Sequence, residues 1–228
     1  MTQDNSPVSG DLSSGGPVRL RDQHHAVTRL AILRAGRELF AERGYAQASV
    51  KGIAARAGVA IQTIYDAFGS KAGIVRALVD VLDQEAGVLD AWQELPRLDD
   101  PVQILRVFAR IRRQIRERCG DIVRTMRSGA ATHPEMAAVL AEGMRRRHSG
   151  LSRIMSRLAT VGALKDGLTA ERAADIAAAV VVDEVCDVLV EQRSWTFDEY
   201  EEWLGDTLVA LLLRRDTVLG RRDGATLD

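Results

Sequence analysis

Apolar residues recur at helical spacing along most of the chain. Ile32, Ala35, Gly36, Leu39 and Phe40 fall at i, i+3, i+4, i+7 and i+8, the buried stripe of an amphipathic helix. The pattern predicts that helix over roughly 23–43. Gly44 is its stop, because glycine tolerates the left-handed conformation of a helix end. A short helix follows over 50–57, with Ser49 as N-cap and Gly58 as its end, and a second short one over 60–68. Ser70 is placed to cap a long fourth helix reaching about Leu95, where Pro96 cannot continue it. Asp100 and Pro101 open a helix to Cys119 that buries Ile104, Phe108, Ile111 and Ile115. A short helix is expected over 121–130, and His133-Pro134-Glu135 opens a long one to about Val161. Thr169 caps another, reaching Gln192. Thr196 and Glu199 have capping-box spacing for a last helix over about 197–215. About nine helices with no convincing strand and no internal repeat predict an all-α fold.

Composition narrows the class. The 228 residues allow one or two domains, and 46% hydrophobic with 28% charged residues describes a folded chain. No apolar run approaches the 18 or more residues of a membrane span. Residues 1–16 hold two acids, no Lys or Arg and no apolar stretch, unlike a secretory signal. Residues 1–20 are Ser/Gly/Pro/Asp-rich and read as a disordered tail, and 217–228 as a flexible one. Cys119 and Cys186 are the only cysteines, too few for a disulfide framework and not at metal spacing, so a reducing, cytoplasmic setting is expected. Net charge is −1, but residues 19–76 carry ten basic side chains against four acidic, +6, and the rest is −7. A basic end on an acidic body suits a polyanion partner; it also suits a merely solvated face.

Ala54, Gly58 and Ile64 sit four and then six residues apart, the spacing of a helix-turn-helix. Ala54 is small where the next helix crosses it, Gly58 supplies a positive φ, and Ile64 plugs the core beside Ile53. The outer face of the third helix is then free for a major groove. With these come Ile32-Leu33-x-Ala35-x-x-x-Leu39-Phe40-x-x-x-Gly44-Tyr45, Ser49-Val50-x-x-Ile53-Ala54-x-x-Ala57-Gly58-Val59 and Thr63-x-Tyr65-x-x-Phe68-x-Ser70-Lys71. Together they resemble the DNA-binding domain of TetR-type transcriptional regulators. The Trp195-Thr196-x-Asp198-x-Tyr200-x-x-Trp203-Leu204 stretch is similar to the last helix of many members. The resemblance implies a helix-turn-helix domain over 21–70 and a helical effector-binding and dimerisation domain over 71–216. It implies that Lys51 contacts DNA, that Gln62 and Thr63 face base edges, and that Tyr65 lies on a phosphate or a thymine methyl. It implies that Lys71 holds a phosphate and that Tyr45 and Ser49 reach the backbone. Two departures bear on the operator: Ala60 stands where members often carry a capping residue, and Ile61 where they are often polar, able to meet a thymine methyl or to leave a base unread.

In the helix after Thr169, Val181, Val185 and Val188 belong to a wide apolar stripe. In the last helix Trp203, Leu204, Leu208 and Leu211 do the same. Such stripes can pack on their own body; the resemblance implies instead that they pair with a second copy in a homodimer that reads two half-sites of an operator. The fourth helix, read as an unbroken rod of roughly 25 residues and about 37 Å, would carry a ligand-driven tilt from body to reader. Trp92, Phe108, Ile111, Met126, Met136, Met144 and Met155 are candidate linings of a small-molecule pocket, each equally readable as ordinary core. Arg106, Arg110, Arg113 and the Arg145-Arg146-Arg147 run read as a solvated face or as partners of an acidic ligand.

Catalytic signatures are absent: no G-x-S-x-G, H-E-x-x-H, phosphate loop or G-x-G-x-x-G occurs, and no cofactor or metal is expected. The function predicted is a ligand-responsive, double-stranded-DNA-binding repressor with no membrane partner. The alternatives are an all-α small-molecule binding protein that no longer binds DNA, or a regulator answering to a protein partner or to cysteine oxidation.

Overall fold

The computed structural model describes residues 17–85 and 87–219. The helices are α1 (Pro17–Gln47), α2 (Val50–Ala57), α3 (Ile61–Phe68), α4 (Lys71–Glu85), α5 (Val88–Glu94), α6 (Pro101–Ala130), α7 (Pro134–Thr160), α8 (Ala170–Val180), α9 (Asp183–Cys186), α10 (Phe197–Leu212) and α11 (Arg215–Leu219). A 3-10 turn, Leu95–Arg97, follows α5, and a π-helical turn, Asp187–Gln192, follows α9. Among the described residues the one extended pairing is an isolated antiparallel bridge, Leu164 to Leu213, that ties the loop after α7 to the end of α10. The fold is all-α, with an N-terminal helix-turn-helix and a larger helical body.

The expected caps do their work. Gly52 N donates to Ser49 Oγ at 3.0 Å, Gly73 N to Ser70 Oγ at 3.0 Å, Val102 N to Asp100 Oδ1 at 2.9 Å and Arg172 N to Thr169 Oγ1 at 3.2 Å. Thr196 and Glu199 form a reciprocal capping box. Four boundaries differ from expectation. α1 begins at Pro17, before residue 23. The fourth helix is not one rod: Gly87 adopts φ 65 and separates α4 from α5, leaving α4 with 15 residues, about 22 Å. The helices expected over 101–119 and 121–130 are one, kinked at Cys119, whose φ is −131. The helix after Thr169 breaks at Val181–Val182, the end of a run of three valines whose branched Cβ atoms favour extended backbone.

Two apolar clusters form the core. One gathers Ile32, Phe40, Ile53, Ile64, Ile74 and Leu78 from α1–α4 with Ile122, Met126, Met136 and Val139 of α6 and α7. The other packs Ile104, Phe108, Leu151, Met155 and Ala177 against Tyr200, Leu204 and Leu208. The body is thus not hung from the reading helices by one connector; α6 and α7 complete their core. Arg37 reinforces that seam. Its Nε donates to Asp121 at 2.6 Å, its Nη1 to Glu85 at 2.7 Å and its Nη2 to the Arg118 carbonyl at 2.6 Å, so α1 is clasped to the kink of α6 and the end of α4.

Candidate DNA-reading face and effector cavity

α2 turns its Ile53 and Ala54 inward, and Gly58, at φ 68, makes the tight turn. Val59 N then reaches back to the Ala54 carbonyl at 3.1 Å. α3 is anchored by one fully buried side chain, Ile64. Five of its other positions face solvent, among them Ile61, 42% exposed, and Tyr65, 46% exposed, while Phe68 is half-buried. Gln62 is exposed, and its Nε2 donates to Asp66 at 2.8 Å, so the amide is oriented in the free protein. Thr63 is half-buried. Ala60 enters α3 in extended conformation with no side-chain capping bond. Arg29 Nη1 donates to the Ala67 carbonyl at 3.2 Å and lies over the Phe68 ring, closing the other end.

Several basic groups of this module are already spent: Arg34 on Glu38, Arg56 on Glu42 and Arg37 on Asp121. Lys51 is exposed and has no ion-pair partner among the described residues, as a phosphate contact requires. Ser49 is exposed, but its Oγ accepts the capping bond of α2.

Tyr45 and Lys71 are both engaged within the protein. Tyr45 is 2% exposed; its hydroxyl donates to Glu135 at 3.3 Å and its ring packs against Phe40 and edge-on to His133. Burial first, then Glu135, pushes its pKa up to about 12. Lys71 Nζ donates to the carbonyls of Tyr45 at 2.7 Å and Ala48 at 3.0 Å and sits over the Tyr45 ring. Burial holds its pKa below the usual lysine value. The carbonyls between α1 and α2 lack helical donors there, and Lys71 supplies them. Both residues therefore help build the joint between reader and body.

A half-open apolar pocket of about 230 Å³ lies between α4, α6 and α7. Of the candidate pocket residues, Phe108, Ile111, Met126 and Met144 line it. Met136 and Met155 do not: both are fully buried in the two cores, Met136 against Gly129, where an added Cβ would meet it at 3.1 Å. The Trp92 side chain lies outside the described residues. Val79, Leu82, Val88, Leu140, Arg112 and Asp183 also line it and escaped the sequence reading, and so does Arg147, from the run read as solvated or as partner of an acidic ligand. The signal for Arg112 was there, an arginine inside the stripe Phe108-Ile111-Ile115.

The residues proposed to pair two copies divide. Val181, Leu204 and Leu208 are fully buried within the protomer, so the apolar stripes serve first to close its own core. Val188 and Leu211 are each 40% exposed, and Val185 and Trp203 are half-buried. Arg106, Arg110 and Arg113 pair with Asp206, Glu94 and Asp198 on the surface. Both thiols are buried, and burial pushes Cys119 up to about 11, away from the reactive thiolate.

Residues 32–78 match the family model of bacterial regulatory proteins, tetR family. A comparison with curated sequences finds no match. Solved structures share the fold at low identity. SmeT, the repressor of the Stenotrophomonas maltophilia multidrug efflux pump SmeDEF, is 22% identical with a TM-score of 0.62, covering 83% of this chain and 92% of its own. It is also known as a complex with triclosan, at a TM-score of 0.64. The transcriptional regulator FadR from Bacillus subtilis, in complex with stearoyl-CoA, is 20% identical with a TM-score of 0.66, covering 79% and 97%. The fatty acid degradation regulator FadR from Bacillus halodurans is 19% identical with a TM-score of 0.67, covering 86% and 97%.

Proposed function

We propose, from the match of residues 32–78 to the model of tetR-family bacterial regulatory proteins, that this chain is a cytoplasmic homodimeric DNA-binding repressor. It leaves a palindromic operator when a small molecule fills the body cavity. The observation that carries the reading is the two-sidedness of α3. Ile64 is wholly inside, while Ile61, Gln62 and Tyr65 stand out on a helix of eight residues. Ile61 and Tyr65, four residues apart, share one exposed face of α3 with Gln62, an apolar and polar mix that suits a partner surface. Gln62 suits adenine, and Ile61 and Tyr65 suit thymine methyls, while Lys51 supplies charge to a phosphate.

One reader covers few base pairs. Two readers about 34–36 Å apart multiply specificity, and Val188, Leu211, Val185 and Trp203 form the apolar surface left for a second copy. SmeT has been solved with triclosan and the Bacillus subtilis FadR with stearoyl-CoA, both small molecules, which supports an effector role for the cavity here. α4 is the coupling element. Ile74 and Leu78 are in the reading core, and Val79 and Leu82 line the cavity one turn on. A ligand that prefers one position of Val79 and Leu82 moves the helix whose first residue, Lys71, holds the α1–α2 joint.

The test is a mobility shift on DNA upstream of its own gene, at several salt concentrations. Salt-sensitive, sequence-preferring binding is expected, lost by about 1–3 kcal/mol in Tyr65→Ala. No such binding at any salt, with ligands still raising the melting temperature, would favour a binding protein without DNA function. Leu211→Arg should yield monomers in sedimentation; an unchanged dimer would refute this interface. Leu208→Arg is no test of it, because Leu208 is inside the fold.

A further inference from the structure

The cavity has one polar end. Asp183 accepts from Arg112 at 3.0 Å and stands 3.9 Å from Arg147, so one carboxylate faces two guanidiniums. Arg112 is 6% exposed. Its Nη2 also donates to the Val181 carbonyl at 3.3 Å, freed by the break after α8, while its Nε is buried without a partner. The Arg147 side chain is 23% exposed, and no N–H of its guanidinium is hydrogen-bonded among the described residues. Of the neighbouring charges, Arg146 is turned onto Asp80 and Glu142, and Glu184, which favours the charged form of Arg147 through space, is itself bonded to Arg127. Burial and the like charge of Arg112 both disfavour the charged form of Arg147. The polar end thus carries one positive charge too many, beside walls of Val79, Leu82, Phe108 and Leu140.

We propose that this end of the cavity binds the oxyanion head of an amphipathic ligand, a carboxylate on a hydrocarbon body, with Arg147 as its main donor and the unpartnered Nε of Arg112 beside it. The proposal rests on the effector-site reading and names the ligand class. An ammonium head would have to take Asp183 from Arg112. A neutral head gives fewer acceptor lone pairs than two guanidiniums can use. A carboxylate matches the guanidinium fork, and the apolar surroundings strengthen that pairing.

Calorimetric titration of the full chain with decanoate, decanol and decylamine tests this without DNA. Decanoate should bind about ten-fold or more tighter than decanol, and decylamine weakest. Arg147→Met should bring decanoate to the level of decanol and leave decanol unchanged. Arg147→Lys should recover part of the difference. Decanol or decylamine binding as tightly as decanoate overturns the head-group assignment alone, and so does an Arg147→Met protein that keeps the preference. If that variant does not fold, the ranking on the unaltered protein decides. Silence from all three probes overturns the effector-site reading with it.

Discussion

The reading module and the body are held together by different chemistry. Inside the first, Ile32, Phe40, Ile53, Ile64 and Ile74 meet only apolar neighbours, and its charges point outward or into the seam. Along the joint of α6 with α9 and the π turn the body is laced by ions. Arg112 holds Asp183, Arg116 holds Asp187, and Arg127 holds Asp187 and Glu184. Arg112 and Arg116 are each only 6% exposed. Apolar packing has one good arrangement, which suits a tool that must present α3 at a fixed angle. Buried ion pairs add little net stability, are costly to break, and can be shared differently when a new acceptor arrives. That suits the responsive wall proposed above. The two cores meet at Ile115, which packs against both.

The largest effect that can break this contrast comes from the apolar side. Ile64→Ala should cost about 2–5 kcal/mol and abolish operator binding. Trp92, Trp195 and Trp203 all lie beyond α4, so tryptophan fluorescence reports the body alone. Circular dichroism should lose helix first and fluorescence should follow at higher denaturant. Superimposed curves would mean one indivisible core. Next in size is Arg116→Ala, at about 3 kcal/mol, the low end for a broken buried pair, because Arg127 still holds Asp187 at 2.9 Å. Here fluorescence should shift and the DNA affinity of the folded protein should not. A fluorescence midpoint that stays where it was would remove the ion lattice from the account of the body.

The joint sharpens the contrast. Lys71→Met leaves the Tyr45 and Ala48 carbonyls without their donor and should cost about 1–3 kcal/mol of stability. The dependence of operator binding on salt should not change. A slope smaller by about one would mean that Lys71 meets a phosphate after all.

Much of the reading module was legible because its signals are local. Gly58, Ser49, Ser70 and the Ala54–Ile64 spacing each act within a few residues, and the structure uses each as its chemistry suggests. Tyr45 and Lys71 were not legible as a joint, since their partners, Glu135, His133 and the α1–α2 carbonyls, are set by tertiary contact. The stripes of α8 and α10 showed that Leu204 and Leu208 seek apolar company, but not whether the company is α6 or another molecule; both are buried on their own body. The break at Gly87 was hidden because Gly inside a helical pattern is tolerated at modest cost, and only its φ of 65 shows that the chain turns there. In an arginine-rich sequence Arg112 drew no reading, and Arg147 was legible only as one of a run, solvated or facing an acidic ligand. It took the break at Val181–Val182 to bring Asp183 between them.

The smallest effect concerns how α3 and α10 begin. α10 has a full capping box, with Glu199 N on Thr196 Oγ1 at 3.2 Å and Thr196 N on Glu199 at 2.7 Å. α3 starts from Ala60, which has the extended backbone of an N-cap, φ −70 and ψ 148, but no oxygen to accept the free amides of the first turn. Ala60→Ser supplies that oxygen without altering the backbone and should raise stability by about 1 kcal/mol. The circular-dichroism transition assigned to the reader should move, and the fluorescence transition should not. Operator affinity decides why the cap is missing. If the open amides at the start of α3 serve a DNA phosphate, Ala60→Ser should bind DNA more weakly even as it melts later, because serine then occupies donors the phosphate needs. Unchanged affinity with a higher melting point would mean that the first turn of α3 takes no part in binding.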